Sequence, residues 1–192
     1  MRFTELAVPG TWLAEPHLLH DDRGSFFEAL RTEELSRVVG RPFTVQQINY
    51  SVSRRNTLRG IHSVTVPPGQ AKYVTCVRGA LRDIAVDLRV GSPHFGTYTV
   101  NHLTADSGAC VYVPEGVGHG FLTLTDDTTI CYVLSSGHVP GTQIDIDPLD
   151  PDLALPWGFT EPPLISPKDA AAPGAVEAAA AGLLAEWQPA VS

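Results

Sequence analysis

The sequence predicts a mainly β protein, a jelly-roll barrel with a few short helices, and three observations carry that reading. Short apolar runs recur along the chain, separated by single breakers drawn from 17 glycines and 16 prolines. Tight-turn sequences such as Arg78-Gly79-Ala80 and Asp126-Asp127 stand between neighbouring runs. The 192 residues are 43% hydrophobic, enough for one compact core with no linker that would divide it.

In chain order, residues 11–19 are loosely apolar and lead through His20 into the turn Asp21-Asp22-Arg23-Gly24. Residues 25–30 read as a short strand. Residues 32–39 read as a helix, with Glu33 and Glu34 early, Arg37 late and Gly40 as its stop, charges that suit a helix dipole. Strands are then predicted at 43–52, 57–66, 71–77, 81–88, 97–103, 110–113, 120–125 and 128–134. Those on either side of Arg78-Gly79-Ala80, and those on either side of Asp126-Asp127, are expected to form hairpins. From about residue 150 the chain is rich in Pro and Asp and is expected to wrap the barrel, and the Ala-rich stretch 170–187 reads as a C-terminal helix. One domain over 1–192 is expected, without internal repeats.

The formal net charge of -8 argues against nucleic acid or an anionic membrane surface as a partner. An anionic ligand would therefore need a local basic cluster. Cys76, Cys110 and Cys131 are widely spaced within apolar runs and form no Cys-x-x-Cys pair, so they are expected to be buried free thiols of a reducing compartment. Neither an apolar leader after Met1 nor a span long enough for a membrane is evident, which points to the cytoplasm.

Pro114-Glu115-Gly116-Val117-Gly118-His119 has the spacing Pro-x-Gly-x-x-His, the second half of the cupin signature. Metal-binding cupins supply further ligands from a His-x-His strand and a following Glu. Here the matching strand, Arg59-Gly60-Ile61-His62-Ser63-Val64, offers only His62, because Val64 occupies the next inward position and cannot ligate. No bound metal is expected. A barrel interior holding His62, His119, Lys72, Arg59 and Tyr132 would still be strongly polar, and each such group costs free energy unless paired. A single buried histidine or tyrosine is more often a satisfied core group than a reactive one; a set on inward-facing positions is a site candidate.

Six motifs in order carry a more specific resemblance: Arg59-Gly60-Ile61-His62, Gly69-Gln70-Ala71-Lys72, Asp83-Ile84-Ala85-Val86-Asp87-Leu88-Arg89, Ser92-Pro93-His94-Phe95-Gly96, Pro114 to Phe121, and Lys168-Asp169-Ala170-Ala171-Ala172-Pro173. Together, from about Asp22 to Pro173, they resemble the dTDP-4-dehydrorhamnose 3,5-epimerases, and the wording around Val66-Pro67-Pro68-Gly69-Gln70 resembles the branch of antibiotic deoxysugar pathways. The resemblance implies a jelly-roll homodimer that needs no cofactor and acts on a dTDP-4-keto-6-deoxyhexose.

The same resemblance implies roles. His62 matches the base that removes the proton next to the ketone, and Asp169 the carboxylate paired with it. Lys72 matches the cation beside the ketone oxygen, and Tyr132 the acid that returns a proton to the opposite face. Arg23, Phe26, Glu28, Gln47, Asn49, Arg59, His119 and Lys168 match nucleotide- or sugar-binding positions, with Arg23 expected to reach across the dimer and both arginines suited to phosphate oxygens. Two ligand-contacting positions depart from the family: His138 replaces a Tyr, and Gln143 replaces a Glu. The competing readings are a metal-dependent cupin enzyme with His62 and His119 as ligands, which metal analysis would reveal, and a non-catalytic nucleotide-sugar binder, which would bind without proton exchange.

Overall fold

Period-two alternation builds two antiparallel sheets that face each other. In the computed structural model, which describes residues 1–188, the strands are β1 (Arg2–Glu5), β2 (Trp12–Glu15), β3 (Leu19–Asp21), β4 (Gly24–Phe26), β5 (Gln47–Ser53), β6 (Leu58–Val64), β7 (Lys72–Arg78), β8 (Ala80–Asp87), β9 (Tyr98–Thr104), β10 (Cys110–Val113), β11 (Val117–Thr123), β12 (Thr128–Leu134) and β13 (Gln143–Asp145). The helices are α1 (Thr32–Val39), α2 (Pro167–Ala170) and α3 (Ala175–Ala180). One sheet runs β1-β2-β10-β7-β12-β5, the other β13-β6-β11-β8-β9, and β3 and β4 form a separate hairpin. This is the expected jelly-roll architecture.

The interior between the sheets is apolar where Val74, Cys76, Leu81, Ala85, Leu103, Val111, Val113 and Ile130 meet. On the outer face of the six-stranded sheet, Leu35 of α1 and Phe43 pack on Tyr73 and Tyr112. The outer face of the five-stranded sheet is covered by the wrapping C-terminal segment, whose Leu153, Trp157, Ala175 and Ala178 pack on Ile61, Ile84 and Val86. Strand β8 is thus covered on both faces, which is why every residue from Asp83 to Asp87 is buried.

Three local expectations are corrected. The turns at Arg78-Gly79-Ala80 and Asp126-Asp127 are not hairpins, because β7 and β12 belong to one sheet while β8 and β11 belong to the other. Both turns are corners where the chain crosses between sheets, and they are tied together: Thr128 Oγ1 donates to the Ala80 carbonyl at 3.3 Å and lies 2.9 Å from Thr125 Oγ1. The stretch 170–187 is not one helix. Pro173-Gly174 separates α2 from α3, and the Ala175 amide is taken by Asp150 Oδ2 at 2.7 Å instead of by a preceding helical turn. Of residues 25–30, only Ser25 and Phe26 lie in a strand, since Gly24–Phe26 is all that β3 can pair. The short edge strands β1 and β13 were not predicted; each has too few residues for its alternation to stand out.

Strands β6 and β11 approach unusually closely, and this places the site. A Cβ on Gly60, whose φ is +109°, would lie 2.6 Å from Gly120 Cα and 2.7 Å from the His119 carbonyl oxygen. Glycine at both positions brings His62 and His119 into direct register across the two strands.

Candidate active site

At one end the inter-sheet space opens into a cavity of about 300 Å³. The six-stranded sheet contributes Asn49 and Ser51 from β5, Lys72 from β7 and Tyr132 and Leu134 from β12; the five-stranded sheet contributes Arg59, His62 and Val64 from β6, His119 and Phe121 from β11 and Gln143 from β13. The five polar residues expected inside the barrel therefore all line one space.

His62 Nε2 lies 2.8 Å from Asp169 Oδ1. The partners are 107 residues apart in sequence, and helix α2 makes the meeting possible: Ser166 caps it by accepting from the Asp169 amide at 3.0 Å, with Pro167 at its start. Burial pushes the Asp169 carboxyl up, but the bonds to His62, then to Ser166 and the Gly60 N–H, hold it below the ordinary carboxylate value. An ionised Asp169 accepts a hydrogen bond from Nε2–H, which leaves Nδ1 as the nitrogen able to accept a proton.

The Lys72 ammonium is buried and donates to the His62 carbonyl at 3.0 Å. Burial lowers its pKa to about 8, with the charges of Asp145 and Asp83 opposing. Tyr132 hydroxyl lies 3.5 Å from Ser51 Oγ, and its ring meets His119 edge-on with centroids 6.2 Å apart. Burial pushes its phenol up to about 12, so it stays protonated near neutrality. Arg59 Nε donates to Ser53 Oγ at 3.0 Å, and Gln47 is tied to Asn49 at 2.8 Å and accepts from the His138 amide at 2.9 Å. A cavity with a carboxylate-backed imidazole on one sheet, a protonated phenol on the facing sheet and a buried ammonium can take a proton from one face of a ligand and give one to the other.

Not every expected residue is at the cavity. Arg23 and Phe26 sit on the exposed β3–β4 hairpin, with Glu28 just beyond it, and none lines the cavity of its own chain. Arg23 is paired with Asp21 at 2.6 Å instead. Lys168 lies behind His62 and is held by Asp145 at 2.9 Å. His138 and Gln143 do line the cavity.

Two residues at the site were not singled out from the sequence. Asp83 is fully buried and lies 2.5 Å from His119 Nε2, with Asn101 Nδ2 donating to its other oxygen at 3.3 Å. Asp145 lies 3.5 Å from His62 Nε2 and accepts from Gln143 at 2.7 Å. The alternation Gln143-Ile144-Asp145-Ile146 was the available signal for Asp145, since Ile144 and Ile146 are buried on the opposite face.

The donor set does not fit the metal centre that the cupin architecture suggests. His119 Nε2 is committed to Asp83, Val64 stands where a ligand would be needed, and His62 Nε2 faces Asp169. Among the described residues, one group, His62, Asp145 and Asp169, has donor atoms within 4.8 Å of one another, and there Lys168 already neutralises part of the charge.

With this geometry in place, comparison with known proteins is informative. The family model described as dTDP-4-dehydrorhamnose 3,5-epimerase matches residues 5–177. The chain is 47% identical over 184 residues to a dTDP-4-dehydrorhamnose 3-epimerase of Streptomyces niveus, covering 96% of this chain and 88% of that one. It is similar to the crystal structure of NovW, a 4-keto-6-deoxy sugar epimerase from the novobiocin biosynthetic gene cluster of Streptomyces spheroides, with a TM-score of 0.94, 45% identity and coverage of 97% and 94%. It is also similar to ChmJ, a 3'-monoepimerase from Streptomyces bikiniensis in complex with dTDP-quinovose, with a TM-score of 0.91, 44% identity and coverage of 94% and 91%. The match spans both sheets and the segment bearing Asp169, so the chain belongs to the dTDP-4-dehydrorhamnose 3,5-epimerase family of isomerases.

Proposed function

We propose that this protein inverts C3, C5 or both of a dTDP-4-keto-6-deoxyhexose in deoxysugar biosynthesis. The observation that carries the reading is the placement of His62 and Tyr132 on facing sheets of one cavity. Inversion needs a base and an acid on opposite faces of the sugar ring, which one side chain could not provide. His62 Nδ1 removes the proton next to the ketone, and the C–H electron pair moves to the carbonyl oxygen to give an enolate. Asp169 balances the imidazolium, Lys72 stabilises the enolate oxygen, and Tyr132 delivers a proton to the opposite face of the carbon. Solvent then restores both side chains, so the incoming hydrogen comes from water. C3 is the centre shared by the activities named for the family and for the epimerases of S. niveus and S. bikiniensis.

Arg59, His119, Asn49, His138 and Gln143 bind the nucleotide-sugar within the cavity, and Gln47, which does not line it, acts beside them through Asn49 and the His138 amide. Arg23, Phe26 and Glu28 act from a second subunit of a homodimer, where the exposed hairpin reaches the partner's cavity. Two features support this: Phe26 is 68% exposed, and edge strand β5 presents Ile48, Tyr50 and Val52 outward. Lys168 contributes to phosphate binding at the rim. The three buried free thiols suit a reducing cytoplasm.

The decisive experiment is a proton NMR time course in deuterium oxide with dTDP-4-keto-6-deoxyglucose and chelator-treated enzyme. Expected is deuterium wash-in at C3, C5 or both, with an inverted product. Binding without exchange, or activity that returns only with added metal, would refute the proposed chemistry. Sedimentation should give a dimer, and Arg23→Ala should raise KM with kcat preserved; a monomer with full activity would remove the second subunit from the site.

A further inference from the structure

Asp145 is the acidic group beside His62 that the proposed chemistry leaves unused. It comes from edge strand β13, which pairs with β6 so that Asp145 stands directly opposite His62. Its Oδ1 lies 3.5 Å from His62 Nε2, the atom that also faces Asp169 at 2.8 Å, so one N–H is presented to two carboxylates. The orientation of Asp145 is fixed from both sides. Gln143 Nε2 donates to Oδ1 at 2.7 Å, and Lys168 Nζ reaches Oδ1 at 3.0 Å and Oδ2 at 2.9 Å. Two oriented donors making three contacts are more than a carboxylate on a surface strand needs for solvation, and Asp145 is 18% exposed against 60% for Lys168.

We propose that Asp145 is a positioning residue for proton transfer at His62. Its carboxylate shares the Nε2 proton with Asp169 and balances part of the positive charge formed when Nδ1 accepts the substrate proton. Lys168, which binds the other edge of the same carboxylate, limits how much of that negative charge His62 experiences. This rests on the reading of His62 as the base. The charged and titratable groups facing His62 are Asp145 on β13, Asp169 and Lys168 on α2, Lys72 on β7 with its ammonium on the His62 carbonyl, and His119 across β11 backed by Asp83; Arg59 is three residues away on the same strand. Of these, Asp145 is joined to both His62 and a solvent-exposed cation, so the two ends of that link can be altered separately.

The test compares Asp145→Asn and Lys168→Met with the unsubstituted enzyme, reading deuterium wash-in and kcat/KM across pH. Asparagine keeps the shape and the acceptor oxygen but removes the charge. Expected for Asp145→Asn is a roughly tenfold fall in kcat with KM within about twofold, as for loss of an interaction made during the chemical step. The acid limb of its kcat/KM profile should move to lower pH by about half a pH unit, because protonated His62 has lost a neighbouring negative charge. Lys168→Met should move the same limb to higher pH, whatever it does to KM. A carboxylate that only ties β13 to α2 would move neither limb. Unchanged limbs, or limbs that move in the same direction, would overturn the proposal. Exchange surviving in His62→Asn would overturn the base assignment and this inference together, whereas loss of exchange there with an unmoved Asp145→Asn profile sinks the inference alone.

Discussion

His62 and His119 stand opposite each other on adjacent strands, and each holds a carboxylate through Nε2, yet the two pairs are built for different work. The His119–Asp83 pair is sealed, with side chains 3% and 0% exposed. The His62–Asp169 pair keeps a histidine 31% exposed over a carboxylate 6% exposed. A buried, hydrogen-bonded polar pair without access to water is held in place by the cost of leaving either partner unsatisfied. An accessible imidazole with a covered carboxylate can gain and lose a proton while its partner stays ionised. One chemical pair is thus repeated on one wall at two exposures, and under the proposed mechanism the accessible copy carries the proton while the sealed copy holds the wall.

The largest effect tests the exposed member. His62→Ala should reduce deuterium wash-in by about 10³-fold or more, as loss of a general base does, while leaving the unfolding midpoint nearly unchanged. Exchange near the wild-type rate would show that His62 is no more reactive than its sealed counterpart, and the contrast would disappear.

The sealed member should fail in the other currency, stability. Asp83→Ala leaves His119 and Asn101 without their shared acceptor inside the sheet sandwich, and breaking a buried pair of this kind costs about 3 kcal/mol or more. Urea unfolding measures it. Asp169→Ala, beside an exposed histidine, should cost distinctly less stability. Equal losses from the two substitutions would mean that the accessible pair is structural as well.

A third, smaller effect concerns the facing sheet. Tyr132→Phe should slow inversion by about 10²-fold, within the range for loss of a general acid, and spare wash-in more than inversion, because proton removal by His62 does not need the phenol. Parallel loss of both readouts would make Tyr132 a core aromatic that packs against His119 at 6.2 Å and nothing more.

How much of this was legible in the sequence follows the same division. Helix α1 was read to its ends because its charges and Gly40 mark both of them. The inward set His62, Lys72, His119 and Tyr132 was readable because strand alternation sends residues two apart to one face. The corners at Gly79 and Asp127 were misread as hairpins, since a turn sequence reports that the chain reverses, not which sheet receives it. Asp169 was placed at His62 through family motifs; spacing alone could not bring together residues 107 apart. Asp145 escaped because β13 is three residues long and its one neighbour on the same face is Gln143. Arg23, Phe26 and Glu28 were named as motif matches, yet the single chain leaves them at or beside an exposed hairpin away from the cavity, so the proposed role for them requires a second subunit.

The smallest predicted effect uses pH to separate what the cavity spends on function from what it contributes to folding. Lys72 titrates near 8 in the folded protein because burial disfavours its charged form, against an ordinary value of 10.5. Between those two values the unfolded chain binds more protons than the folded one, so this group makes stability rise with pH. Below 8 both states are charged, and its full cost of burial is present. Catalysis should run the other way, because only the ammonium can meet an enolate: about half of kcat should be lost on going from pH 7 to pH 8, following a single titration. Wild-type activity and the unfolding midpoint, each measured relative to Lys72→Met, should therefore move in opposite directions above pH 8. If both fell together, or if Lys72→Met kept the wild-type slope, Lys72 would be a satisfied core group and no part of the chemistry.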